Sequence, residues 1–93
     1  MEAMEKPKII LLKASGSEEF PKDFQKKYHT HIFCQRGSTR FVFNNRPFDC
    51  KQGEFIFWLA DNTISKLSFS KNFKATILFV EKQLLSDNFP NLN

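Results

Sequence analysis

Two histidines stand one residue apart in the stretch HTHIFCQRG, residues 29 to 37, and imidazole is a common ligand for divalent metals. On a β-strand side chains alternate with period two, so His29 and His31 present both rings to one face and make half of a chelate. A divalent ion normally takes three or more protein ligands from His, Cys, Asp and Glu; His29 and His31 are the only histidines in the chain. A Cys–His nucleophile is not set up either, since parity puts Cys34 on the opposite strand face from both rings. Asp49, Glu54 and Asp61 flank turns and read as solvated carboxylates. Three glycines spread along the chain make no phosphate-binding loop. Arg36, directly before Gly37, is the remaining group with directed chemistry, because a guanidinium can orient a hydroxyl or carboxylate through two parallel hydrogen bonds.

The elements that carry these residues are short strands. KIILLK (8 to 13) is an apolar run that reads as a strand, and the polar segment ASGSEEFPKD isolates it from the rest. HTHIFCQ (29 to 35) and TRFVFNN (39 to 45) flank Arg36-Gly37-Ser38; in the second, Phe41 and Phe43 share a face and Arg40, Val42 and Asn44 share the other. NNRP, PFDC and KQGE read as consecutive short hairpins. EFIFWL (54 to 59) is apolar on both faces, with Phe55, Phe57 and Leu59 against Ile56 and Trp58, so coverage on both sides is expected. TISKLSF (63 to 69) and FKATILFV (73 to 80) follow, and EKQLLSDNF (81 to 89) reads as a short helix before Pro90. Closely spaced strands with Gly, Pro and Asn turns make an all-β antiparallel sandwich or barrel.

Ninety-three residues give room for one core. Hydrophobic residues at 41% and twelve Phe supply the bulk that a disordered chain lacks. The net charge of +4 is dispersed among lysines and acids, without the basic stripe that nucleic-acid affinity requires. No secretory leader or membrane span is legible, since IILL is far too short for either, and the expected location is the cytoplasm. Cys34 and Cys50 show no metal or redox spacing and read as buried free thiols.

The stretch CQRGSTRFVFNNRPFDCKQGEFIFWLADNTISKLSF resembles the cupin-like sensor domain of arabinose-regulator-type (AraC-type) bacterial transcription factors. The marks are Gly37, Asn44-Asn45, Phe48, KQGE at 51 to 54 and LADN at 59 to 62; NFKATILFVEKQLL resembles the strand and helix start that follow, so that the likeness covers roughly residues 28 to 86. It implies a small cupin-like jelly roll over 1–93, with a β core at 8–80 and at most a short C-terminal helix or tail. Metal-binding cupins carry a first motif G-x5-H-x-H-x3-4-E-x6-G. Anchored on His29 and His31, it meets Gln35 or Arg36 where the glutamate belongs and Val42 or Phe43 at the final glycine. The second motif, begun at Gly53, meets Ile64 in place of its histidine.

The resemblance therefore implies a sensor without catalysis, metal or cofactor, holding a small-molecule effector in the barrel. Arg36 matches the position of the ligand-contacting arginine of sugar-sensing members, and its parity with Ile32 and Cys34 turns it inward. Trp58, Phe41, Phe43, Phe57 and Ile77 are the candidate apolar walls. The expected assembly is a homodimer formed through sheet faces or edges, with no membrane partner. DNA would be reached through a helix-turn-helix domain, which these residues do not contain. The alternative is a stand-alone small cupin enzyme with a degenerate metal site at His29 and His31.

Overall fold

Period-two alternation places Tyr28, Thr30, Ile32 and Cys34 on the buried side of one strand, and Ala75, Ile77 and Phe79 on the buried side of another. These two strands form the centre of the fold. In the computed structural model, which describes residues 9 to 84, the strands are β1 (Ile9–Ala14), β2 (Tyr28–Arg36), β3 (Ser38–Phe43), β4 (Arg46–Lys51), β5 (Phe55–Trp58), β6 (Ser65–Phe69) and β7 (Lys74–Glu81). All pairings are antiparallel. One sheet runs β1-β7-β2-β5 and the other β4-β3-β6.

This is the strand order of a jelly roll that lacks its second strand. The cupin-like all-β sandwich expected from the sequence is therefore present, with helical turns where that strand would run. Residues 15 to 27 instead hold a 3-10 turn (Ser17–Glu19) and a one-turn helix, α1 (Phe24–Lys27). That segment was expected to be a polar loop, and the helical turns exist because Phe20 and Phe24 have a core to cover. Their rings meet edge to face at 5.0 Å, and Phe20 also lies 5.2 Å from Phe79 and 6.1 Å from Phe69. The core between the sheets is filled by Phe73, Phe79, Ile32 and Ile77, all fully buried. Burying each such side chain contributes about 1.5–3 kcal/mol.

Three other expectations change. The first strand is not isolated, because β1 pairs along its whole length with β7, from Ile9↔Val80 to Ala14↔Ala75. Of the successive strands only β3 and β4 form a hairpin, through Asn44 and Asn45, both at positive φ (54° and 62°) as a two-residue type I′ turn requires. The KQGE turn instead carries the chain from one sheet to the other. Its Glu54 N–H donates to Lys51 O (2.8 Å), Gly53 takes φ 86°, and Gly53 N–H donates to Cys34 O (2.8 Å) to dock the turn on β2. Finally, among the described residues β5 is covered on one face: Trp58 is buried, whereas Phe55, Phe57 and Leu59 are exposed. Of the C-terminal helix expected over 81–89, residues 82–84 are helical and the remainder lies outside the described residues.

Candidate functional site

Between the sheets, where β5 leaves the interior, a cavity of about 390 Å³ opens among Phe41, Phe43 and Phe48 of β3 and β4, Ile56, Phe57 and Trp58 of β5, and Leu59, Asn62 and Ile64 of the following segment. Alternation sets most of the walls, because the inward face of β3 carries Phe41 and Phe43 and that of β5 carries Ile56 and Trp58, while Phe57 borders the cavity from the outer face of β5. Phe41 packs on Trp58 with ring centroids 5.1 Å apart and stacks on Phe48 at 5.7 Å. Ile64 and its neighbours have no regular structure and are held by α1: Asp61 N–H donates to Gln25 O (2.8 Å) and Ile64 N–H donates to Gln25 Oε1 (3.2 Å). Phe48, Ile64 and Asn62 carried no local signal of membership, because the contacts that bring them to the cavity join segments distant in the chain. Ile56 was legible through its parity with Trp58.

No charged side chain lines this cavity, and Asn62 is its polar member. Trp58 is only 6% exposed, and its indole Nε1 has no hydrogen-bond partner. The fully buried Thr30, whose Oγ1 also lacks a partner, sits directly opposite Trp58 in the β2–β5 register. An indole N–H can only donate, and leaving such a group buried and unmatched costs about 1–3 kcal/mol.

Four of the sequence-derived wall residues, Trp58, Phe41, Phe43 and Phe57, come together here. Ile77 stands apart, fully buried on β7 in the core. Arg36 is exposed. The parity that turned it inward fails at a β-bulge: β2 pairs Cys34 with Ala75 and then Arg36 with Lys74, so Gln35 is the extra residue and Arg36 falls on the outer side with Lys74.

His29 and His31 lie on the outer face of the four-stranded sheet, opposite Val80 and Leu78 of β7. His29 Nδ1 accepts a hydrogen bond from Ala60 N–H (2.9 Å), which fixes the neutral ring with its proton on Nε2. His31 Nδ1–H donates to Leu78 O (3.2 Å), and its ring stacks on Phe57 at 5.6 Å. Burial lowers the His29 pKa below the usual 6.5, with the charges of His31 and Lys82 adding to the effect and Asp61 opposing it. Among the described residues no three His, Cys, Asp or Glu side chains gather as a metal site.

Cys34 and Cys50 are buried free thiols, the first donating towards Arg36 O and Gly37 O (both 3.3 Å) and the second towards Glu54 O (3.4 Å). Burial raises both pKa values, that of Cys50 to about 11, so both are protonated and weakly nucleophilic at neutral pH. Among the described residues no helix is long and apolar enough to cross a membrane.

No protein-family model matches the chain, and no curated protein does. Among solved structures, the Clostridium difficile EutQ protein superposes with a TM-score of 0.44 at 16% identity, over 80% of this chain and 47% of that one. The chain thus spans about half the length of that structure.

Proposed function

We propose that this chain is a non-catalytic, cupin-like sensor domain of an AraC-type transcription regulator, and that its effector is a small, neutral, largely apolar molecule. The observation that carries the reading is the cavity walled by Phe41, Phe43 and Trp58, whose lining among the described residues holds no charged side chain. Its volume of about 390 Å³ lies within the range of small-molecule pockets. An uncharged lining disfavours an ionised ligand, whose desolvation nothing there would offset. The strand and turn marks from Gly37 to Asn62 support the regulator assignment, and the route to DNA is then a helix-turn-helix domain outside these residues.

Trp58 is the single tryptophan, so one indole N–H resonance reports the site. Titration with cyclohexanone is expected to shift that resonance saturably, while cyclohexanecarboxylate at the same concentrations leaves it in place. A resonance that neither compound moves, or that the carboxylate moves more, overturns the proposal.

A further inference from the structure

The outer face of the four-stranded sheet has no cover within the described residues. Register places Leu11, Leu78, His31 and Phe57 in one row across all four strands, with Lys13, Thr76, Phe33 and Phe55 in the next. Ile9 and Val80 continue the face on the other side of the first row. Leu11 is 71% exposed, and Ile9, Phe33, Phe55 and Phe57 are exposed with it. With about 200 Å² for a large apolar side chain, those five residues leave roughly 600 Å² open, before the part-exposed Leu78, Val80 and His31 are added. A monomer's largest apolar patch rarely exceeds that size, and a standard protein interface takes about 800 Å² from each partner.

We infer that this face joins two copies of the chain in a face-to-face homodimer. The area is what a stable dimer needs. A twisted sheet is matched in shape by another of the same hand and twist, and aligned packing of two such sheets is a standard solution for covering apolar faces; a second copy supplies that surface by symmetry. Charge agrees. On a chain of net charge +4 the row Leu11, Leu78, His31 and Phe57 is free of carboxylates and ammonium groups, and the cations Lys13, Arg36 and Lys74 collect at one end of the face. A two-fold axis running across the strands sets the two cationic ends apart. The inference rests on the sheet face alone and stands whether or not the cavity takes a ligand.

Sedimentation equilibrium of the full chain at micromolar to millimolar concentration tests it. The expected species has twice the 10.9 kDa chain mass. Leu11→Asp and Phe55→Asp each raise the dimer dissociation constant at least about tenfold, as charges buried in an interface do. Lys51→Asp, on the other sheet, leaves it unchanged. Concentration-dependent shifts of the Leu11 methyl and His31 ring resonances in the unaltered chain give the same answer without a substitution. A chain that stays at 10.9 kDa throughout overturns the inference. So does a dimer that persists in both Asp variants, or one that forms while those resonances stay fixed.

Discussion

Gly37 adopts φ 67° between β2 and β3, and a Cβ there would stand 2.2 Å from Ser70 Oγ, 2.6 Å from Asn72 Oδ1 and 3.0 Å from Phe73 Cα. Ser70 Oγ has no room to move away, because it accepts from Ser38 N–H (2.9 Å) and donates to Asn72 Oδ1 (2.9 Å). Gly37→Ala combines left-handed strain with the loss of these bonds and is expected to cost about 2–4 kcal/mol. Urea unfolding checks it: the midpoint should fall with the m-value unchanged. The sequence marked this glycine as a turn, but the close approach of the segment at 70–73 is invisible locally. The same holds for its neighbour. Parity located His29 and His31 together on one face, yet it misplaced Arg36, because a single unpaired residue at Gln35 inverts every facing beyond it.

At the scale of elements, the β3–β4 hairpin was the most legible piece, since Asn-Asn at its tip suits two consecutive left-handed residues. Asn45→Gly should stabilise the chain by about 0.5 kcal/mol or more, because glycine takes that φ without strain, and Asn45→Val should destabilise it by about 1–2 kcal/mol. Thermal midpoints moving in opposite directions for the two variants are the expected result. The remaining turns looked equally hairpin-like but lead between sheets. What separates the two cases is where each strand finds its ladder: β5 bonds to β2 and β6 to β3, across long stretches of intervening chain. The apolar run of β5 was likewise plain, and its two-sidedness was legible. That its Phe55 and Phe57 face is left open among the described residues was not, because alternation counts faces without saying what lies against them.

For the whole molecule, three shifted groups bound the pH range of stability. His29 has a folded pKa below 6.5, so its contribution is complete above that value and is lost as pH falls, when the unfolded chain binds the proton more readily. Cys34 and Cys50 have folded pKa values above 9.0, so their contribution is complete below that value and is lost as pH rises, for Cys50 up to about 11. Thermal midpoints should therefore crest between these limits, and His29→Gln should flatten the acid limb below pH 6.5; an unchanged limb would count against the assignment. By itself the sequence determined the strands, most of their inward faces and the aromatic walls Phe41, Phe43 and Trp58, because a period of two and turn chemistry are local properties of the chain. Only the tertiary structure decided that β1 closes on β7, that Phe20 and Phe24 stand in for a missing strand, and that one aromatic face borders a cavity while another is exposed among the described residues. Those outcomes depend on pairing between distant segments, whose register and bulges no local pattern encodes.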